Sequence, residues 1–533
     1  MELPFKTPRE RGIAIALVAL WAILFLPNLR TNPDWYGDEG VCMEMSWTAA
    51  HGQARLGALR HDFITPIPYQ PLWLLLNGTV LRVFGNDILV GRALQVLTAL
   101  ATAAILFWMG TRLRDKNFGF LCAAGFLIYP EVVMHYRWVR MHPMAGTLAL
   151  ASCGFLIRYV QEKRLRDVVW AGVLCSLSYG AHPFTYTMAG IVVTTTFFVN
   201  RRHLTAAMAA AAAWGMIFLT WFVVTQGGMA HLMAQLEHAR MQALGGTSPS
   251  YLAEIARVWQ VFVNFAFLTP TISATGTRGV DFWLVAAMFG ALLFPIPRFR
   301  KWLLFWLLVL MYGVLRSRDN VPVFFYPAMA FVPLMSIGFA GMIVLLGDAA
   351  ARLFPKRAAQ VRLVPLVGLL GVFGLMSATN SLGHWRSKID TWMCHSPSDA
   401  EAAMRFVRER TTDQDFVIMP DQVYWLYPHP YRAQLVQCAH YAGIENAYYG
   451  DKTLPREQFW FDCSWQKAKY CVLAFGVDAD GRSYGIDAIF WPSFKGVRKI
   501  LEDMQAENWR PVFRQGEYMV LANPRFKTKE EPK

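Results

Sequence analysis

Charge is scarce in this 533-residue chain, where Asp, Glu, Lys and Arg make up 17% of the residues against 55% hydrophobic ones. That balance excludes an ordinary soluble enzyme of this size and makes a bilayer the solvent for most of the chain. Zinc ribbons and dense disulfide scaffolds are excluded as well, because the 8 cysteines form no CxxC pair. No small-residue cleavage site follows the first apolar core behind Lys6, Arg9 and Arg11, so that segment reads as an uncleaved first helix. The C-terminal tail has neither a Gly-rich phosphate loop nor a nucleophile elbow, and no nucleotide-sugar motif is recognisable. A net charge of +14 is present, but the basic residues lie in short clusters between apolar runs. They read as membrane-topology signals and not as a nucleic-acid face.

What the chain does have is a succession of apolar runs near the roughly 20 residues that a helix needs to cross hydrocarbon. Spans are predicted at 13–29, 88–110, 118–134, 143–160, 168–182, 184–199, 204–225, 281–296, 302–315, 321–347 and 363–380. With the N-terminus in the cytoplasm, the inner loops carry Arg112, Arg114 and Lys116, then Lys163, Arg164 and Arg166, then Arg201 and Arg202, then Arg298, Arg300 and Lys301, then Lys356 and Arg357. Every predicted inner loop is therefore basic, and an odd helix count sends the tail outside. The expected fold is a polytopic α-helical membrane protein of about eleven transmembrane helices with a C-terminal soluble α/β domain. Its parts are a membrane domain over 1–383, with long outer loops 30–87 and 226–280, and an outer domain over 384–533.

In the first outer loop, Glu39 to His51 reads as a short helix that Asp38 can cap and Gly52 stops. Pro71 to Phe84 reads as an apolar helix stopped by Gly85 and lying along the membrane surface. In the tail, the pattern predicts helices over 399–410 and 493–508, strands over 415–419 and 469–475, and two last strands around Val512 and Met519. A covering or acceptor-docking role suits a domain with no catalytic motif of its own. Cys394, Cys438, Cys463 and Cys471 fall here, and an oxidising compartment would allow one bridge whose pairing stays open.

Chemistry-bearing residues gather at the outer boundary. The segment Asp34-Trp35-Tyr36-Gly37-Asp38-Glu39-Gly40 is acidic, with Glu44 further on. A carboxylate there can stay charged while facing a half-dry cavity, which suits a general base acting on a lipid-linked substrate; helix capping by Asp38 is the structural alternative. His135, Tyr136, Arg137, Trp138, Arg140 and His142 cluster where the topology rule expects few cations, and Arg316 and Arg318 do the same before Tyr326. Guanidinium forks on one face can hold a phosphate, or snorkel to lipid headgroups. His182 beside Pro183 reads more readily as a satisfied helix end than as a ligand, and Glu237, His238 and Arg240 in the stretch 235–240 read equally as substrate contacts or as part of an amphipathic loop helix.

The order of these parts resembles the C-type (GT-C) membrane glycosyltransferases, in particular the branch of protein O-mannosyltransferases and the lipid A aminoarabinose transferase. The resemblance covers the whole layout. It is most specific at Asp38-Glu39, at Gln70-Pro71-Leu72-Trp73-Leu74 through Val83-Phe84-Gly85 and Arg92, at Arg137 to His142, and at Ala402 to Val407 leading through Asp415 to Pro420. It implies an inverting glycosyltransferase that moves a sugar from a polyprenyl phosphate to an acceptor hydroxyl, with Asp38 as base and Glu39 orienting it or the acceptor. Arg137, Arg140, Arg316 and Arg318 would hold the donor phosphate, and Glu44, Tyr69, Gln70, His142 and Tyr326 would line the substrate. Relatives often carry Lys-Pro-Pro where this chain has Tyr69-Gln70-Pro71, and an acidic residue where it has His142 after Arg140-Met141. Expected partners are the lipid-linked sugar, membrane lipid and an acceptor of unassigned chemistry, without nucleic acid. No cofactor is called for, and a divalent metal stays open. The expected location is a bacterial inner membrane with the tail outside the cytoplasm. A lipid-linked sugar transporter is the alternative, but few charges fall at midplane and no inverted repeat is visible. A non-catalytic membrane scaffold is a further alternative, in which the loop carboxylates would be free to vary.

Overall fold

The computed structural model describes residues 7–53, 55–60, 71–182, 185–225, 256, 281–296, 299–315, 326–382, 394–445, 454–477, 483–486 and 495–526. The loop 226–280, apart from residue 256, lies outside the described residues, as do Tyr69, Gln70, Arg316 and Arg318. The chain divides into two units, one of Met1–Leu29, Ile67–Trp73 and Arg92–Gly383, the other of Arg30–Pro66, Leu74–Gly91 and His384–Lys533. The division runs between Gly383 and His384, and most of the first loop, residues 30–66 and 74–91, is grouped with the tail.

The first unit is helical: α1 (Pro8–Phe25), then, past α2 (Gly37–Ala50) and α3 (Pro71–Phe84), α4 (Ile88–Leu113), α5 (Lys116–Leu127), α6 (Pro130–His135), α7 (His142–Glu162), α8 (Leu165–Ala181), α9 (Thr187–Val199) and α10 (Leu204–Thr225). It continues with helices Phe282–Leu293, Arg300–Leu315, Val332–Leu353 and Leu363–Leu382. Among the described residues, Ile88–Leu113, His142–Glu162, Val332–Leu353 and Pro355–Leu382 are long and apolar enough to cross a membrane. The chain is an integral membrane protein.

With no hydrophobic force between helices in lipid, close backbone approach and buried hydroxyls must hold such helices together. Ser152 Oγ donates to the Ala171 carbonyl and Ser178 Oγ to that of Ala145, both at 2.7 Å, tying α7 to α8. Gly290 and Gly338 let helices Phe282–Leu293 and Val332–Leu353 meet so closely that a Cβ on either would run into the other's backbone. The predicted span 118–134 is two helices, broken at Tyr129 before Pro130, because proline disfavours a helical residue ahead of it and offers no N–H.

In the second unit α2 begins at Gly37, so Asp38 stands in its first turn and not at the cap. Gly52 follows the helix at φ +71°. Helix α3 matches its predicted bounds, and Gly85 adopts φ +106° behind it. Strands β1 (Trp35–Tyr36), β2 (Arg55–Leu56) and β3 (Leu59–Arg60) come from the first loop, and β1 pairs antiparallel with β4 (Cys394–His395) of the tail.

Beyond lie helix Pro397–Arg408, β5 (Val417–Ile418), β6 (Arg432–Ala433), helix Leu435–Tyr441, β7 (Tyr470–Val477), β8 (Ser483–Ile486), helix Lys495–Ala506, β9 (Arg510–Gln515) and β10 (Tyr518–Ala522). They form a six-stranded sheet ordered β6-β5-β7-β10-β9, with β8 on β7; β5 runs parallel to β6 and β7. Strand β6 and the helix after it carry no signal strong enough to read in the sequence, being short and stabilised by distant partners. Cys438, Cys463 and Cys471 are free thiols buried together in this unit's core with Ala439, Trp465 and Ile500, so no bridge joins them here.

Asp415 locks the turn into β5. Its Oδ2 accepts from Thr412 N at 2.7 Å, Thr412 Oγ1 at 3.0 Å and Lys469 Nζ at 3.0 Å. Burial alone would raise the Asp415 carboxyl, but the hydrogen bonds from Thr412 and Lys469 outweigh it and hold it below the ordinary 3.8. A lowered folded pKa means that the stabilisation is fully present above the unfolded pKa and is lost as pH falls through the folded one. Asp415→Asn is therefore expected to cost about 1–2 kcal/mol at pH 7. The cost should shrink towards zero in strong acid, as read by thermal unfolding of wild type and variant at both pH values.

Candidate active site

The acidic loop lies in the second unit. Trp35, fully buried, donates from Nε1 to the Arg30 carbonyl at 2.9 Å and meets Trp425 edge to face at 5.0 Å between centroids. Arg30 is tied to Glu401 at 3.0 Å and to Asp87. This anchored entry feeds α2, whose first turn presents two acids, Asp38 half-buried and Glu39 fully buried, to the positive end of the helix. Asp38 is the more accessible of the two. Glu44, expected to line the substrate, is instead engaged by the tail: Arg432 Nη2 donates to its two carboxylate oxygens at 2.7 and 2.6 Å, with both residues buried. A carboxylate whose two oxygens are taken by one guanidinium has little left for a substrate.

The arginine junction lies in the first unit, on the segment between α6 and α7. Arg137 is completely buried and donates from Nη2 to the Pro27 carbonyl, while its Nε and Nη1 find no acceptor among the described residues. Arg92 is also fully buried and donates to the Leu29 carbonyl at 3.0 Å. Burial first, and then the charge of Arg92, pull the Arg137 guanidinium below its ordinary pKa. Arg140 is buried, as are Glu131 and His135, whose side chains approach to 3.6 Å. His142 opens α7 and lies against His182, ring centroids 4.3 Å apart. A buried guanidinium whose Nε and Nη1 have no acceptor among the described residues, beside a second arginine, offers hydrogen bonds that an oxyanion could accept.

Arg92, which belongs to a sequence motif without a site signal of its own, lies close enough to act on Arg137 and joins it as a candidate. Arg432 carried no sequence signal at all. The structure brings Arg137 and Arg92 together, and Glu44 with Arg432. Tyr326 opens a 3-10 turn over Tyr326–Ala330. Among the described residues no cluster of three or more His, Cys, Asp or Glu side chains is arranged to hold a metal ion.

The fold is similar to that of several solved proteins at low sequence identity. ArnT from Cupriavidus metallidurans, solved bound to undecaprenyl phosphate, superposes with a TM-score of 0.60 at 14% identity, over 97% of this chain and 98% of that one. The archaeal oligosaccharyltransferase AglB from Archaeoglobus fulgidus, in complex with an inhibitory peptide and a dolichol-phosphate, gives a TM-score of 0.52 at 12% identity, over 88% of this chain and 70% of that one. No protein-family model and no curated protein matches the sequence.

Proposed function

We propose that this protein is an inverting glycosyltransferase that moves a sugar from a polyprenyl-phosphate donor to an acceptor hydroxyl at the outer membrane-water interface. The observation that carries the reading is Arg137, fully buried with Nε and Nη1 unanswered among the described residues. Such a group suits a phosphate brought by a lipid. The ArnT structure, whose fold this chain shares, contains undecaprenyl phosphate.

In the proposed reaction Asp38 takes the proton of the acceptor hydroxyl as that oxygen attacks the anomeric carbon. The bond from that carbon to the phosphate oxygen breaks on the opposite face, and polyprenyl phosphate leaves with the electron pair. Charge grows on the phosphate during the step, so fixed cations stabilise the transition state more than the ground state. Arg137 and Arg92 supply that charge, with Arg140, Arg316 and Arg318 as further phosphate ligands. Glu39 orients Asp38 or the acceptor, and Tyr69, Gln70, His142 and Tyr326 contact substrate. The proposal includes the topology: about eleven spans, outer loops 30–87 and 226–280, and an outer α/β domain over 384–533 in a bacterial inner membrane.

The test is transfer of radiolabelled sugar by the purified protein from a panel of polyprenyl-phosphate donors to native membrane extract, with the anomeric configuration of the product determined. Inverted product from one donor supports the reading. Retained configuration removes the single-displacement mechanism, and no transfer from any donor overturns the reading in favour of a transporter or scaffold.

A further inference from the structure

Helix α2 is gripped along its length by other parts of its own unit. Gly40 lies so close on the backbone of Asp421 and Gln422 that a Cβ there has no room. One turn on, both Glu44 carboxylate oxygens accept from Arg432 Nη2, and Arg432 is itself held, donating from Nη1 to the carbonyls of Tyr427 at 3.2 Å and His429 at 2.5 Å. Pairing of Val417 with Arg432 in the parallel strands β5 and β6 sets the height of that guanidinium. On another side Asn77 Nδ2 donates to Ser46 Oγ at 3.0 Å.

Residues four apart share a helix face, so Gly40 and Glu44 form one contact stripe, and Asp38 lies about 200° around the axis from Gly40 at 100° per residue. The tail therefore holds the face turned away from Asp38. A backbone seat such as Gly40 limits how near the helix lies, but does little to stop it turning. A charge-assisted contact from Nη2 of a guanidinium whose Nη1 is itself fixed by two carbonyls ties the helix at a side chain and resists its rotation.

We propose that Arg432 is a positioning residue for Asp38: by holding Glu44 it sets the rotation of α2 and thereby the direction in which the base points. The proposal rests on the transferase reading above. A buried ion pair of this kind is close to neutral in stability against an apolar pair of similar volume, so its use lies in orientation. Misplacing a reacting group by an ångström costs roughly a hundredfold in rate.

The test uses the full-length protein in detergent or nanodiscs. Arg432→Met alone strands a buried carboxylate and is expected to fold poorly, so the informative variants are Arg432→Lys and the double variant Glu44→Leu/Arg432→Met, which removes both charges. In both, kcat is expected to fall roughly a hundredfold, with donor KM unchanged and faster amide hydrogen exchange confined to residues 37–50. If the pair only stabilises the fold, the double variant regains wild-type kcat together with its thermal midpoint. That result, or unchanged exchange in α2, overturns the proposal. If wild type transfers nothing, the transferase reading falls and takes the catalytic meaning of the tether with it, while exchange in α2 alone decides whether Arg432 orients the helix.

Discussion

Asp38→Asn is expected to lower the rate constant for sugar transfer by about a thousandfold while leaving donor binding in place. The amide matches the carboxylate in shape but cannot take a proton from the acceptor hydroxyl at neutral pH. Asp38 stands in the first turn of α2 and is half-buried, where asparagine is also at home, so the helix should survive the change. Single-turnover transfer measured beside donor binding separates the outcomes. A variant that transfers as fast as wild type removes Asp38 as the base. A variant that loses donor binding together with rate assigns it to binding and not to proton transfer.

Replacing Arg137 with methionine is expected to act in opposite directions on function and on stability. Function should suffer by about a hundredfold or more in kcat/KM, the usual loss when one donor to a developing oxyanion is removed. Stability of the donor-free protein should hold or rise, because the side chain is fully buried, its charge is disfavoured by burial and by Arg92, and its Nε and Nη1 have no acceptor among the described residues. Thermal unfolding with and without polyprenyl phosphate reads both effects. A ligand that binds only the folded state raises the midpoint, so wild type should shift with added lipid phosphate and Arg137→Met should not. A donor-free midpoint far below wild type would make Arg137 a structural residue, and an equal shift in both proteins would remove it from the phosphate site.

The sequence by itself determined the features that arise between near neighbours. Apolar runs announced the membrane helices, because transfer of a side chain into lipid depends on that side chain and its immediate length of helix. Gly52 and Gly85 announced the ends of α2 and α3, since a positive φ is a local demand. Pro130 held a local signal too, and the predicted span 118–134 passed over it. Tertiary structure alone decided what individual charges do. Glu44 and Arg432 are 388 residues apart, and only the folding of the tail against α2 sets that guanidinium on the carboxylate. It also placed Arg92 close enough to act on Arg137. The reason is physical: hydropathy and backbone preference are properties of a segment, whereas a buried charge is given its role by the partner that folding sets against it.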